Sequence, residues 1–326
     1  GGGHRGVVST CCYLARIKGV RSAMPMFQAL ERCPDAVVIP PNMAKYKAVS
    51  AEIREIFRAA TPVLEPVSLD EAYLDLSDDN RQRGDCAAVA LAEIARRVER
   101  EVGITVSIGL SANKFLAKLA SELEKPAGFS VIGRGEAVSF LAPLSVRKIH
   151  GVGAATARRM EDEGLRTIAD LQALPAQALV GRFGKFGRRL AEYVRGEDGR
   201  EVTPDRRTKS ISAETTFRRD TGGLGELTEV SRGLCERVAQ QLTRKGLAAG
   251  TVVLKLKTTD FKVLTRNRRL THPTQRAGVL MEMAQSLLAR EADGRTFRLI
   301  GVGAADLRPS LEADPLDLFA LADAQR

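Results

Sequence analysis

Residues 66–77, PVSLDEAYLDLS, place two adjacent carboxylates, Asp70 and Glu71, between two short apolar segments. The segment 67–76 predicts two short strands around a turn. In a regular strand neighbouring side chains point to opposite faces, so these carboxylates converge on one ion only if the chain turns or bulges there. Converging carboxylates supply the hard oxygens that Mg²⁺ prefers and leave positions for water and substrate phosphates. Because an Asp-Glu pair at a turn is also common without a metal, the motif alone leaves both interpretations open.

The segments around this hairpin alternate helices with strands. Residues 43–60 and 86–102 predict amphipathic helices, and residues 104–110 predict a strand. Ser111 is expected to cap a helix over 112–124, before Pro126. Helices alternating with strands and a hairpin predict an α/β layer with a mixed or antiparallel sheet. Helical pieces broken at Gly19 and Pro25 are expected over 12–33, and helices with glycine-rich turns over 132–203.

Residues 210–302 predict a second α/β element order. Strands are expected over 210–217, 251–258, 263–271 and 296–302, with helices over 226–245 and 275–290. This order, βαββαβ, is the split, ferredoxin-like motif. The strands also carry cations, which we expect to line the sheet face opposite the helices and to cradle a phosphate backbone: Lys255, Lys257, Arg266 and Arg268. A simply solvated sheet face is the equally open alternative.

Composition sets limits on the class of protein. A length of 326 residues predicts two to four domains. The net charge of +10 is unevenly distributed, at +3 for residues 1–150, +10 for 151–300 and −3 for the last 26 residues. This favours a nucleic-acid partner for residues 151–300, and a simply solvated basic surface is the alternative. No apolar run approaches a membrane span. The five cysteines, two of them adjacent, show no zinc spacing and favour a reducing cytoplasm.

Cationic and hydroxyl side chains occur in the segments on either side of the carboxylates. Upstream, Tyr13 and Arg16 lie three residues apart on a predicted helical turn, and Thr10 lies shortly before them. Downstream, Lys125 follows the predicted helix over 112–124. A nucleoside triphosphate site needs such groups to neutralise phosphate oxygens while carboxylates hold the metals.

At these residues the sequence resembles the Y-family DNA polymerases, and within them the bacterial polymerase IV group of translesion enzymes. The resemblance extends over five segments in the same order and covers essentially the whole chain: GVVSTCCYLARIKGVRSAMP (6–25), PVSLDEAYLDLS (66–77), VSIGLSANKFLAKLASELEKPAGFSVI (106–132), HGVGAATARRMEDEGLRTIADL (150–171) and KSISAETTF (209–217).

The resemblance implies a multidomain right-hand polymerase of α/β class. Fingers are expected at 1–42, a palm at 43–131, a helical thumb at 132–203, a linker at 204–209, a little finger at 210–308 and a tail at 309–326. Such an enzyme is a monomeric, cytoplasmic and nucleoid-associated DNA-directed DNA polymerase. Its partners are primer-template DNA and a dNTP.

The resemblance also assigns roles to residues. It implies that Asp70 and Glu71 bind two Mg²⁺ ions per active site, and that Thr10, Tyr13, Arg16 and Lys125 hold the triphosphate. Ser22 and Ala23, both small, would lie against the nascent base pair, which suits a site that tolerates damaged templates.

One expected segment is missing from the printed chain. Family members have a first palm strand upstream of the position of Gly1, with another metal-binding Asp and the aromatic residue that excludes ribonucleotides. Two-metal transfer uses that carboxylate to bridge the ions, so we expect the chain as printed to bind DNA but to polymerise poorly. A non-catalytic DNA-binding accessory protein with the same fold remains the alternative at this point.

Two further motifs predict contacts with macromolecules. Gly151, Val152 and Gly153 lie between helical segments, where glycines let the backbone approach a phosphate closely. The resemblance implies a helix-hairpin-helix there, and a plain tight turn is the alternative. In the acidic tail, Leu316, Leu318 and Phe319 resemble a peptide that docks on the bacterial sliding clamp, although the usual leading Gln is absent. A helical segment packed on the last domain is the alternative for the tail.

Overall fold

The computed structural model describes residues 5–77, 86–205, 207–291 and 293–314. The chain divides into two compact units, unit 1 with residues 1–41 and 207–326, and unit 2 with residues 42–206. Unit 1 contains the ranges predicted as fingers and little finger, and unit 2 contains those predicted as palm and thumb. Among the described helices, none is both long and apolar enough to cross a bilayer.

Unit 1 begins with two short helices, α1 (Tyr13–Ile17) and α2 (Met26–Arg32). They pack around a small apolar core that includes Val8, Ala15 and Ala29. The interruptions predicted at Gly19 and Pro25 are confirmed, because Gly19 adopts a φ of +87° and Pro25 is the N-cap of α2.

The rest of unit 1 is a four-stranded antiparallel sheet covered by two helices. Its elements are β5 (Ser210–Thr221), α11 (Leu224–Arg244), β6 (Leu247–Thr258), β7 (Val263–Thr274), α12 (Ala277–Leu288) and β8 (Phe297–Ala305), with a short β9 (Arg308–Pro309) paired to β6. The predicted βαββαβ order is confirmed. The strands lie in the order β5-β8-β6-β7, and each neighbouring pair is antiparallel.

Alternation along β6 places one face of this sheet in the core. Val252, Leu254 and Leu256 are buried against the helices, whereas Lys255 and Lys257, at alternate positions of the strand, are half-exposed on the other face. The helices contribute an apolar stripe on α11 and another on α12, and both pack into the same core. Side chains on the opposite face of the sheet therefore form an open face.

The first part of unit 2 contains the hairpin. Its elements are α3 (Met43–Arg58), β1 (Leu64–Pro66), β2 (Ala72–Leu74), α4 (Ala87–Arg97), β3 (Ile108–Ser111), α5 (Lys114–Ala120) and β4 (Phe129–Ile132). A π-helical turn, Val98–Val102, extends α4. β1 pairs with β2 in antiparallel orientation, and β3 pairs with β4 in parallel.

Several predicted boundaries in this region are wrong. The strand expected over 104–110 spans Ile108–Ser111, and the helix expected over 112–124 spans Lys114–Ala120. The first hairpin strand ends at Pro66, and residues 67–71 form the turn. Ser111 is not the helix cap, because its hydroxyl donates to the carbonyl of Ile132 at 2.7 Å. Asn113 caps α5 instead, since its side chain accepts the Leu116 N–H at 3.0 Å. The helix is therefore two residues shorter at its start than expected.

The second part of unit 2 is helical, as expected. Its helices are α6 (Ala137–Leu141), α7 (Ala154–Asp162), α8 (Ile168–Gln172), α9 (Ala176–Phe183) and α10 (Lys185–Tyr193), with a 3₁₀ turn at Val146–Lys148. They share one buried core with α5, in which the rings of Phe115 and Tyr193 stack with centroids 4.2 Å apart. Helix α5 is thus fixed in the core of the helical part.

Candidate active site

The β1–β2 turn is built by the side chain of Ser68. Its hydroxyl accepts the backbone N–H groups of Asp70 at 3.2 Å and Glu71 at 3.1 Å. The backbone N–H groups of Val67 and Ser68 donate to the Glu71 carbonyl at 2.9 and 3.2 Å, which closes the turn. Serine side chains often accept backbone N–H groups of the following residues in such turns, in place of backbone carbonyls. The chain therefore turns at the carboxylates, as their convergence requires.

Each carboxylate is held through one oxygen. Ser68 donates its hydroxyl to Oδ1 of Asp70 at 2.5 Å, and Lys118 donates from Nζ to Oε1 of Glu71 at 2.8 Å. Within the described part of the chain, the second oxygens of Asp70 and Glu71 accept no hydrogen bond. Both residues are solvent-exposed. The turn therefore presents two oriented carboxylates, each with one oxygen available.

Helix α5 supports the hairpin with two lysines one turn apart. Lys114 is buried and donates to Oε2 of Glu65 in β1 at 2.5 Å, and also to the Glu201 carbonyl at 3.2 Å. Its ammonium lies 4.8 Å from the centroid of the Tyr73 ring in β2. Lys118, on the next turn of α5, reaches the carboxylate turn itself. The two strands and the turn are thus each contacted by one lysine of the same helix.

The position of α5 is fixed at its N-terminus and along its length. Asp198 accepts the Phe115 N–H at 3.0 Å, which adds a carboxylate where a helix N-terminus stabilises negative charge. Gly109 in β3 faces the helix so closely that a Cβ would lie 2.0 Å from the Ala117 carbonyl oxygen. Position 109 therefore requires glycine, because any side chain would collide with the backbone of α5. The helix that carries Lys114 and Lys118 thus has little freedom to shift.

Charged groups behind the hairpin shift several pKa values. Burial raises the pKa of Tyr73, and the positive charge of Arg200 only partly offsets it. Burial would also raise the pKa of Asp198, but hydrogen bonds and charge from Arg200 outweigh burial, so its pKa lies below the ordinary value. The pKa of His150 is lowered by burial and then by Lys118 and Arg200. The surroundings of the turn are therefore rich in positive charge.

The donor set fits a hard divalent cation. Mg²⁺ binds through one or two protein carboxylates while it keeps several waters and substrate phosphates, and Asp70 and Glu71 each leave one oxygen for that purpose. Over the residues that the structure describes, no group of three or more Asp, Glu, His or Cys side chains forms a complete metal cage. An ion here would thus need further ligands besides Asp70 and Glu71.

The residues predicted to hold the triphosphate occupy both units. In unit 1, Thr10 and Tyr13 are exposed, and the Arg16 guanidinium carbon lies 6.0 Å from the Tyr13 ring centroid. In unit 2, Lys125 donates to Glu122 at 2.6 Å. Tyr13 and Arg16 therefore lie together as predicted, and the common triphosphate site of all four residues stays a prediction.

The residues predicted to face the nascent base pair also lie in unit 1. Ser22 and Ala23 are exposed. Ala23 adopts a φ of +66°, and its N–H donates to the Val8 carbonyl at 2.8 Å. A left-handed backbone at a non-glycine residue is uncommon and is often found at functional sites.

The glycine turn before α7 has the geometry of a close backbone approach. Gly151 adopts a φ of +95°, and a Cβ there would lie 3.1 Å from the Phe186 ring. Gly153 is the N-cap of α7, and the Val152 N–H closes the preceding turn on the Ile149 carbonyl. The turn thus leads directly into a helix N-terminus with positive dipole character. Its contact with DNA stays a prediction.

The predicted basic face of the sheet needs a correction. Arg266 pairs in register with Leu254, and Arg268 with Val252, so both arginines lie on the helix-covered side of β7. The Arg266 Nε donates to the buried Glu291 carboxylate at 2.6 Å, and the Arg268 guanidinium to the Ser286 hydroxyl at 3.3 Å. The expectation that these arginines share the open face with the lysines is wrong.

The lysines lie on the open face as expected. Lys255 donates to Glu214 across β8 at 2.8 Å, and the intervening residue is Gly301, where a Cβ would lie 3.0 Å from the Glu214 Cβ. The Lys257 ammonium lies 4.6 Å from the Phe261 ring centroid. The open face thus carries fewer unpaired cations than expected.

Two findings complete the site residues. Leu316, Leu318 and Phe319 lie outside the described residues. Sequence reasoning missed Lys114 and Lys118, although two lysines four residues apart in the otherwise apolar helix KFLAKLA signal an unusual polar stripe on a packed helix.

Comparisons with known proteins cover the whole chain. Models described as "impB/mucB/samB family", "DNA polymerase-iota, thumb domain" and "impB/mucB/samB family C-terminal domain" match residues 1–122, 147–198 and 208–317. The chain is 54% identical over 326 residues to "DNA polymerase IV" of Brucella melitensis, covering all of this chain and 73% of that one. It is 48% identical to "DNA polymerase IV" of Caulobacter vibrioides, covering all of this chain and 80% of that one.

Solved structures give the same result. The fold superimposes on a "Y-family DNA polymerase chimera Dbh-Dpo4(243-245)-Dbh" with a TM-score of 0.81 and 25% identity, covering 93% of this chain and 88% of that one.

Proposed function

This chain belongs to the impB/mucB/samB family of Y-family DNA polymerases, and we propose that the Asp70–Glu71 turn is its metal site for DNA synthesis. The protein is a template-directed DNA polymerase of the translesion class, a nucleotidyltransferase that joins a dNTP to a primer 3′-hydroxyl. Nothing in the site favours the alternative of a non-catalytic accessory protein.

One observation supports the metal site most strongly. Ser68 and Lys118 each hold one oxygen of a carboxylate, and the other oxygen of each stays available. Partners of this kind orient carboxylate ligands in metal sites. Asp70 and Glu71 would hold Mg²⁺, which we take to be two ions and which would supply charge stabilisation to the attacking and leaving oxygens of the transfer. The chain itself orients the carboxylates and keeps the turn rigid on α5.

On the family resemblance we assign triphosphate contacts to Thr10, Tyr13 and Arg16 in unit 1, and to Lys125 in unit 2. Arg16 supplies a planar guanidinium suited to two phosphate oxygens, Lys125 supplies a point charge, and Tyr13 and Thr10 supply hydroxyls. These groups offset the charge of the incoming dNTP. Ser22 and Ala23 leave room beside the nascent base pair.

We assign the grip on primer-template DNA to two features. The glycine turn Gly151–Gly153 offers backbone N–H groups and the α7 N-terminus to a phosphate, without reading the bases. Lys255 and Lys257 offer charge from the open face of the sheet. Both contacts would be made to the DNA backbone and would not depend on the base sequence of the DNA, as synthesis along any template requires.

Primer extension tests the metal assignment. The assay uses the printed chain and the same chain preceded by the first palm strand that the family resemblance predicts. We expect Mg²⁺-dependent extension by the longer protein, and a loss of at least about 100-fold for Asp70→Ala or Glu71→Ala, since each removes a metal ligand. Glu52→Ala removes an exposed carboxylate of α3 and serves as the matched control. Normal extension by Asp70→Ala would show that the assignment is wrong.

We also propose that the tail is a sliding-clamp peptide, on the sequence of Leu316, Leu318 and Phe319 alone. Apolar side chains in an acidic tail suit a groove that binds short linear peptides. A fluorescent peptide of residues 311–326 should bind purified clamp and be displaced by a standard clamp peptide. A Leu318→Ala, Phe319→Ala peptide should not bind, and equal binding of both peptides would exclude this role.

A further inference from the structure

We propose that Lys118 competes with a divalent cation for Glu71: its ammonium offsets one of the two carboxylate charges of the turn, so that the Asp70–Glu71 pair binds metal weakly on its own. The proposal rests on the assignment of Asp70 and Glu71 as the metal ligands. It adds a regulation of that site, which depends on Lys118 itself and on the helix that carries it.

The contact between Lys118 and Glu71 is direct and fixed in place. The Lys118 ammonium lies 2.8 Å from Oε1 of Glu71. The lysine side chain is 25% exposed and the glutamate side chain 42% exposed. Helix α5 is held by its Asn113 cap and by the Asp198 carboxylate. A charged hydrogen bond from a packed helix keeps its geometry better than one between two long surface side chains.

The same ammonium opposes an incoming cation. A divalent ion on the remaining oxygen of Glu71 would lie only a few ångströms from Nζ, well within the Debye length of about 8–10 Å at physiological salt. Two charges on the ion double the Coulomb repulsion that a monovalent ion would feel. Lys118 therefore lowers the affinity of the protein for metal by its charge, while its hydrogen bond keeps Glu71 in place.

The neighbouring charges make this arrangement specific to the turn. Lys114, one turn earlier on α5, donates to the buried carboxylate of Glu65 in β1. It therefore stabilises the hairpin and does not contact Asp70 or Glu71. Two adjacent carboxylates on one turn would repel each other without a nearby cation. Lys118 relieves this repulsion before any metal arrives, which makes loading depend on the further ligands that water and substrate phosphates provide.

The experiment is a titration of the full chain with Mn²⁺ alone, followed by electron paramagnetic resonance of the free ion at low and moderate salt. Lys118→Met removes the charge and keeps the apolar stem, and Lys118→Gln is a second variant in case the first fails to fold. Lys118→Arg keeps the charge. Lys245→Met removes an exposed lysine of unit 1 and is the matched control.

We expect Lys118→Met and Lys118→Gln to bind Mn²⁺ about 3- to 10-fold more tightly than the parent chain, with a smaller gain at higher salt. Lys118→Arg and Lys245→Met should match the parent. The gain should disappear in the Glu71→Gln background, because the carboxylate for which Lys118 competes with the metal is gone. Unchanged or weaker Mn²⁺ binding in both neutral variants would overturn the proposal.

The two assignments fail in different ways. If Asp70→Asn and Glu71→Gln lower Mn²⁺ affinity but the neutral Lys118 variants do not raise it, the metal site stands and the competitor role is wrong. If Asp70→Asn and Glu71→Gln leave Mn²⁺ affinity unchanged in every background, the metal site itself is wrong, and the competitor role is overturned with it.

Discussion

Replacement of Lys114 by Met should destabilise unit 2 strongly while preserving most of the side-chain volume. The lysine side chain is only 8% exposed and that of its partner Glu65 only 11%. The substitution removes a charged hydrogen bond to Glu65, a second bond to the Glu201 carbonyl and a cation–π contact with Tyr73. Because the pair is buried, the Glu65 carboxylate stays shielded from water after the substitution. Water therefore does not replace the lost ammonium, and Glu65 is left as a buried charge without that partner.

The magnitude follows from the partners that remain. Removing one member of a buried ion pair typically costs about 3–5 kcal/mol. Glu65 keeps its hydrogen bond from the Thr203 N–H at 2.9 Å, which favours the lower end of that range, so we expect a loss of about 3 kcal/mol.

Urea unfolding followed by circular dichroism measures this loss. Lys45→Met, at an exposed position of α3, is the matched control and should change the free energy of unfolding by no more than about 0.5 kcal/mol. The double variant Lys114→Met, Glu65→Gln should recover about 2 kcal/mol of the loss, since both charges are gone together. A cost below about 1 kcal/mol for Lys114→Met would refute the view that this pair fastens the hairpin to α5.

Three further predictions concern packing, pH and salt. Gly109→Ala should cost about 3 kcal/mol or more by thermal unfolding, because its Cβ would meet the Ala117 carbonyl oxygen at 2.0 Å; a neutral effect would mean that α5 can shift. Asp198 has a lowered pKa when folded, so its stabilisation is complete above its ordinary pKa of 3.8 and lost as the pH falls through the lowered value. Asp198→Asn should therefore flatten the acid limb of a stability–pH curve, and an unchanged limb would contradict this. In DNA-binding titrations, Lys257→Ala should reduce the slope of log K against log salt by about 1, whereas Arg266→Ala should change it little because Glu291 already pairs that arginine.

Much of the fold follows from local patterns in the sequence. The helix over 43–58, the broken helices of the first 33 residues and the βαββαβ order all appear where hydrophobic periodicity and glycine or proline positions predict them. The order of strands in the sheet does not follow, because element order leaves the pairing of β8 with β5 and β6 undetermined. That pairing depends on long-range packing.

The placement of Arg266 and Arg268 could have been read from the sequence. Leu264, Arg266, Arg268 and Leu270 occupy every second position of β7, and side chains two residues apart lie on one face of a strand. This pattern puts the arginines on the helix-covered side, where the structure places them. The number of cations on these strands does not by itself show which face they occupy; for Arg266 and Arg268, their alternation along β7 does.

The candidate site shows the limit of sequence reasoning more clearly. The turn at Asp70 and Glu71 is readable from its composition, and the structure explains it through Ser68. The pairings of Lys114 with Glu65 and Lys118 with Glu71 span 49 and 47 residues. Local periodicity carries no information at that separation, so only the packing of α5 on the hairpin shows which lysine faces which carboxylate.

The central claim is that Asp70 and Glu71 hold the metal used for DNA synthesis. Anomalous diffraction from a Mn²⁺-soaked crystal with primer-template and a non-hydrolysable dNTP tests it most directly. We predict an anomalous peak within coordination distance of a carboxylate oxygen of both residues, beside the phosphates of the nucleotide. A bound nucleotide whose Mn²⁺ peaks contact neither Asp70 nor Glu71 would contradict the account.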